Sequence, residues 1–359
     1  KKEPFLGVVL TYPQEVSSVP VSRITFPVSH DTGQPDMVKL GVLGAGLFAN
    51  ATLFPALKKI NNLELVGIAS AGGLHAQHSA KKYGFAYATS NDDEILNDPA
   101  INTVAILTRH DMHADLAVRA LQASKHVFVE KPLAVTVEGL EAVTQSLTAN
   151  CHTLLTVGFN RRFALLARTL QAFLVTRSEP LYMHYRINAG TIPLNHWTHD
   201  PAQGGGRIIG EGCHFVDFLA FLAGAVPVSV TAVALPDNGK YREDNVSMTF
   251  TFPDGSIGLV DYLANGDKSF PKERIEVFCG GRVAVLDDFR TLETVYDGHR
   301  KVVKKAQDKG WKDEWVAFAN AIHTGGQPPI PYEQLISVTK ATFAAVESLR
   351  GGSCAVEVK

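Results

Sequence analysis

From residue 39 onward, short apolar runs alternate with stretches whose apolar positions recur every three or four residues. The runs predict buried strands at 39–43, 63–70, 103–108, 126–130 and 153–159. The helical spacing between them predicts helices at 50–60, 76–83, 113–123 and 137–149. Strand and helix in turn, with short connections, describe a doubly wound parallel sheet. Past residue 160 the rhythm changes. A helix at 164–175 leads into strands at 181–189, 228–233, 246–252, 256–264, 273–279 and 282–287. Turns such as Asp254-Gly255 and Gly280-Gly281 join them, so a large, mostly antiparallel open sheet is expected. A last helix at 332–349 is stopped by Gly351 and Gly352. Ahead of all this, 5–12 and 23–27 are extended patterns, and Gly33 and Pro35 break 31–36 into a linker. The expected division is an extension at 1–36, an α/β domain at 37–158 and an α+β domain at 159–359.

Composition narrows the function classes. The 359 residues carry 34 Lys plus Arg against 36 Asp plus Glu, a net charge of −2. That balance excludes a strongly basic nucleic-acid binder and an acidic tail protein. Cys151, Cys213, Cys279 and Cys354 stand singly, which fits reduced thiols in the cytoplasm better than a disulfide framework or a structural zinc site. The first residues hold neither an export signal nor an initiator methionine, so the chain reads as an excised piece. Residues 216–235 are apolar enough to test as a membrane span. Gly224 and Pro227 split them, and a short buried helix followed by a strand is expected instead.

The first strand runs into Gly44-Ala45-Gly46-Leu47-Phe48-Ala49. The first glycine permits a tight turn, the second lets a pyrophosphate reach the backbone, and Ala49 keeps helix and strand close. Amides at the opening of the helix would hold the diphosphate. A carboxylate that binds the ribose usually ends the second strand, yet no Asp or Glu lies between Leu65 and Asn91. Ser70 and Ala71 stand there, with nothing to repel a 2′-phosphate. NAD(P) is the expected cofactor, with a lean to NADP. His75, His78 and Lys81 are either cationic neighbours of that phosphate or a solvated helix face.

Three further segments carry a resemblance. They are Thr108-Arg109-His110-Asp111-Met112-His113; the stretch from Ala120 through Val129-Glu130-Lys131-Pro132; and Gly204-Gly205-Gly206-Arg207-Ile208-Ile209-Gly210-Glu211-Gly212-Cys213-His214 with Asp217. With Gly158-Phe159-Asn160-Arg161-Arg162, they resemble the glucose–fructose oxidoreductase/inositol dehydrogenase/MocA family of NAD(P)-dependent sugar and cyclitol oxidoreductases. The resemblance implies a Rossmann-type N-terminal domain. It further implies a hydride transfer between nicotinamide and a hydroxyl or carbonyl carbon of a sugar, nucleotide sugar or cyclitol. A homodimer or homotetramer built through the C-terminal sheet is implied as well. Residues 4–12 with the Thr-Arg-His-Asp turn also look like bacterial two-part oxidoreductases, in which an alcohol-dehydrogenase-like half lies upstream.

The family pattern implies that Lys131 and His214 face the nicotinamide, His214 as acid–base and Lys131 on the reacting oxygen. Their competing readings are a surface lysine and a core histidine. The family places an Asp four residues before the histidine, and Gly210 stands there. Glu211, one residue closer, is the expected substitute, and a dinucleotide-binding module without turnover is the alternative that Gly210 raises. Gly44, Gly46, Leu47, Phe48, Ala49, Ser70, Ala71, Thr108, Arg109, His110, His113, Glu130, Lys131, Pro132, Asn160 and Arg161 are expected around the cofactor. Lys131, Arg162, Trp197 and His214 are expected around the substrate. Trp197 reads equally as a sugar-stacking face and as a half-buried residue at a domain junction. No metal site, nucleic acid or membrane is expected.

Overall fold

The computed structural model describes residues 23–26 and 37–359. The pattern at 5–12, the linker at 31–36 and any joint with an upstream half lie outside the described residues. Within 23–27, Arg23–Thr25 forms a strand.

Seven strands make the first sheet, in the order Arg23–Thr25, Tyr87–Thr89, Leu63–Ala69, Val38–Leu43, Thr103–Ile106, His126–Val129 and Leu155–Val157. All pairs are parallel except the one made by the edge strand Arg23–Thr25. Helices Leu74–Tyr83, His113–Gln122 and Val137–Ala149 lie where the apolar spacing put them. The first helix is shorter than expected, with a π-turn at Ala49–Leu53 running into Phe54–Leu57. Pro55 lies just past that turn and has no N–H to give to the ladder. Strand Tyr87–Thr89 and helix Asp92–Leu96 were not foreseen, being too short for a periodic signal.

The second sheet has nine strands: His299–Lys304, Thr291–Tyr296, Arg282–Asp287, Glu273–Cys279, Tyr182–Asn188, Ile257–Leu263, Asn245–Thr251, Ser229–Ala234 and Val356–Glu357. Only Tyr182–Asn188 with Ile257–Leu263 is parallel, and the other pairs are antiparallel. Helices Leu165–Leu174, Cys213–Ala223 and Tyr332–Arg350 pack on this sheet. The suspected span resolves into helix Cys213–Ala223, a left-handed Gly224 cap, and strand Ser229–Ala234. Among the described residues, no helix is long and apolar enough to cross a membrane.

Helix Trp311–Thr324 departs from the expected division, because it leaves the second sheet and covers the first. Trp315 is fully buried and stacks on Phe128 at 4.4 Å between ring centroids. Residues 159–359 therefore do not all pack as one unit.

Candidate active site

In a parallel sheet the carboxyl ends of the strands carry the ligand-binding loops. Here the loops at 44–49, 70–71, 90–92, 107–113, 130–131 and 160–161 meet residues 197, 211, 214 and 272 of the second domain around a cleft of about 890 Å³. Of the expected residues, Gly44, Gly46, Leu47, Phe48, Ala49, Ser70, Ala71, Thr108, Arg109, His110, His113, Glu130, Lys131, Asn160, Arg161, Trp197, Glu211 and His214 all line it. Pro132 and Arg162 do not.

The glycine turn has the geometry a diphosphate needs. Gly44 has φ +108°, and a Cβ there would lie 2.6 Å from the Leu107 carbonyl oxygen, so only glycine fits. At Gly46 a Cβ would meet nothing within 4 Å, and the backbone stands open to the cleft. A dinucleotide's diphosphate fits this open backbone, and the residues present suit that group. At the far end, the Ser70 N–H donates to the Thr89 carbonyl, which joins the loops after two neighbouring strands. Ser90 and Asp92 thereby join Ser70 and Ala71 in the cleft wall. His75, His78 and Lys81 lie on an exposed helix face outside it, the solvated alternative.

Lys131 and His214 reach the cleft from different domains. Lys131 Nζ donates to the Gly210 carbonyl at 2.9 Å. His214 is buried and its Nδ1 has no hydrogen-bond partner. Burial first, then the cations Arg161 and Lys131, hold its pKa well below the usual imidazole range, so the ring is neutral. Glu130 is half-buried, and its carboxylate accepts from the Lys131 N–H at 3.3 Å. Burial raises its pKa to about 7 against the opposing pull of Lys131.

Glu211 does not take over the orienting of His214. Its Oε1 receives Lys272 Nζ at 2.8 Å, while its Oε2 receives Arg207 Nη2 at 3.0 Å and the Tyr262 hydroxyl. Burial would raise its pKa, but Lys272 and Arg207 outweigh that and keep it ionised. All three donors come from other residues, and Glu211 makes no hydrogen bond to the imidazole. Arg162 is likewise corrected. Its guanidinium lies in the core, where Nε donates to Asp217 at 3.0 Å and Nη1 to Gln334 at 2.9 Å. Arg161, one residue earlier on the turn Asn160–Phe163, lines the cleft while held bidentately by Glu273 at 2.7 and 3.0 Å.

Sequence reasoning missed Asp92, Lys272 and Trp311. Each lies at a loop or the start of an element with no motif around it, and no signal in the sequence marks it. His113 is fully buried, with Nδ1 2.7 Å from the Pro132 carbonyl and Nε2 3.2 Å from that of Thr108, so it braces the loop carrying Lys131. That brace is the part Pro132 plays.

Residues 38–159 match the family described as "Oxidoreductase family, NAD-binding Rossmann fold", and residues 179–281 match "GFO/IDH/MocA C-terminal domain". Inositol 2-dehydrogenase of Rhizobium meliloti is 30% identical over 261 residues, 67% of this chain and 72% of that protein. The chain belongs to the GFO/IDH/MocA oxidoreductase family. Its first domain is the family's NAD-binding Rossmann fold. Inositol 2-dehydrogenase of Salmonella typhimurium is 31% identical over 160 residues, 44% of this chain. The match spans about half of that relative, 48% of its length. Among solved structures, levoglucosan dehydrogenase in complex with NADH and levoglucosan superposes with a TM-score of 0.78. It is 22% identical, and the match covers 89% of this chain and 99% of that one, a likeness of fold.

Proposed function

We propose that this chain is an NAD(H)-dependent oxidoreductase acting on a secondary hydroxyl, or its carbonyl, of a cyclitol or sugar. The observation that carries it is the convergence of Lys131 and His214, from two domains, on the cleft that holds the Gly44–Ala49 turn. The nicotinamide, when bound, supplies the hydride acceptor or donor. Lys131 Nζ donates to the reacting oxygen and stabilises its alkoxide character. The neutral His214 ring takes the hydroxyl proton in oxidation and returns it in reduction. Gly44, Gly46, Leu47, Phe48 and Ala49 hold the diphosphate; Ser70 and Ala71 hold the adenosine ribose; Thr108, Arg109, Glu130, Asn160 and Arg161 border the remaining length. Trp197 lies against the substrate. The first part of the chain thus binds the dinucleotide and the second the substrate, with a homo-oligomer formed through the second sheet.

On the cofactor, the lean to NADP gives way. Asp92 enters the cleft beside Ser70, with no Lys or Arg lining that end. It would repel a 2′-phosphate as a strand-end carboxylate does. The module without turnover has less support, since both proton-handling side chains reach the cleft.

Titration of the purified chain with NADH and NADPH, followed by energy transfer from Trp and Tyr, tests this. NADH is expected to bind at least about tenfold tighter, which is the effect of one uncompensated charge contact. Lys131→Ala and His214→Ala should each slow NAD reduction with myo-inositol by about 100-fold or more while NADH still binds. Absence of binding by either dinucleotide sinks the proposal, and wild-type rates in both variants sink the residue assignment.

A further inference from the structure

Gly210 stands where the family's carboxylate is expected, and the space it leaves is filled. A Cβ at Gly210 would lie 2.9 Å from His110 Cε1 and 3.0 Å from His110 Nδ1. It would also lie 2.9 Å from the Gly204 carbonyl oxygen. A side chain at 210 and the imidazole of 110 therefore exclude one another. The imidazole is firmly set. It is 8% exposed, its Nδ1 is 2.9 Å from the Gly204 carbonyl, and its ring stands edge-on to Trp197 at 4.8 Å.

A carbonyl only accepts, so Nδ1 carries the proton. Burial, and then the Lys131 cation, push the pKa down to about 3, so the ring is neutral. In the neutral Nδ1–H tautomer, Nε2 keeps a lone pair. Nε2 makes no hydrogen bond within the described protein, and it is not among the buried polar atoms without a partner. It is open, and the cleft is where His110 is exposed.

We propose that His110, whose ring fills the space vacated at Gly210, is a substrate-binding residue whose Nε2 accepts a hydrogen bond from a hydroxyl of the polyol. Lys131 beside it is a donor, so the pair offers both halves of the hydrogen bonding a hydroxyl makes. The family's anionic acceptor is replaced here by a neutral one, carried by the other domain. His110 was expected among the cofactor contacts, and its contacts with Trp197 and Gly204 support a place at the substrate end. This assignment rests on the proposed oxidoreductase function.

The test uses the full chain with NADH bound and ¹⁵N-labelled at histidine, titrated with myo-inositol, scyllo-inositol, levoglucosan and D-glucose. The His110 resonances, assigned by their loss in His110→Gln, should report the neutral Nδ1–H tautomer from pH 5 to pH 9. The Nε2 signal should move when a polyol binds. His110→Ala should weaken that polyol about tenfold, the loss of one hydrogen bond, with NADH affinity changed less than threefold. His110→Gln, whose amide oxygen reaches a similar position, should recover most of the loss. A charged ring or the opposite tautomer at pH 7 overturns the proposal. So does a polyol affinity unchanged in His110→Ala, or an Nε2 signal that none of the four polyols moves. Failure of NADH itself to bind removes the oxidoreductase reading first, and this assignment with it, so the two failures are distinguished.

Discussion

Arg161 and Arg162 differ by one position and lie on opposite sides of a wall. The short turn Asn160–Phe163 sends the first guanidinium to the cleft and the second into the core against Asp217. Nothing in the sequence separates them, because both follow the same strand and neither has a motif of its own. Lys131 and His214 were legible for the opposite reason, each being embedded in a motif whose order along the chain is specific. Asp92 and Lys272 were not, since their places depend on which loops become neighbours. The arginine pair yields a direct check. Replacing Arg162 by Met leaves Asp217 buried without its partner, and breaking such a pair costs about 3–5 kcal/mol. Arg162→Met is therefore expected to lower the denaturant midpoint strongly, while the protein that remains folded binds NADH and polyol as before. A selective loss of polyol binding at unchanged stability would return Arg162 to the substrate site.

At the scale of elements, periodic patterns located most helices and strands to within a few residues, and Val137–Ala149, Glu273–Cys279 and Arg282–Asp287 to the residue. Short elements and helix Trp311–Thr324 escaped, the latter because its partner sheet lies far away in sequence. This helix also buries an acid. Glu314 is 1% exposed and its Oε1 has no partner. Burial, then the nearby Glu130 and Asp217, raise its pKa well above the usual value of 4.5. The folded state therefore keeps this proton at pH values where the unfolded chain has lost it. Its contribution to stability falls as pH rises from about 4.5 through its folded pKa. Buried neutral histidines such as His110 and His214 act oppositely, since their lowered pKa values favour folding as pH rises toward 6.5. The difference between wild type and Glu314→Gln isolates the acid. The Tm of Glu314→Gln minus that of wild type should grow steadily between pH 5 and pH 8, as measured by calorimetry. A difference independent of pH over that range would show Glu314 to be ionised when folded, contrary to its setting.

At the scale of the whole molecule, the second sheet has a face that no helix among the described residues covers. Register places Tyr182 opposite both Ile257 and Phe278, so these three lie side by side at one end of the three central strands of the second sheet. They are 45%, 38% and 44% exposed, while their neighbours along each strand are buried under the helices. Beside Ile257 the same row continues into Thr251 and Ser229, and the exposed Val233 and Val302 lie in other rows, shared with Asp261 and Arg186 and with Glu276 and His184. A short apolar band on a sheet face suits association, and a two-fold axis through it would let the same residues meet their copies. Alternation along the strands made an uncovered face legible, since every second position there is mostly polar, as in Tyr182–Asn188 and Glu273–Cys279. The sequence does not say which residues of separate strands become neighbours. Light scattering of the wild-type chain is expected to give at least twice the 38.9 kDa chain mass. Phe278→Glu, which puts a charge beside Tyr182 in the band, should return it toward the single-chain mass. NADH affinity should be kept, because none of these residues lines the cleft. A monomeric wild type, or a Phe278→Glu variant that stays fully associated, would move the interface away from this face.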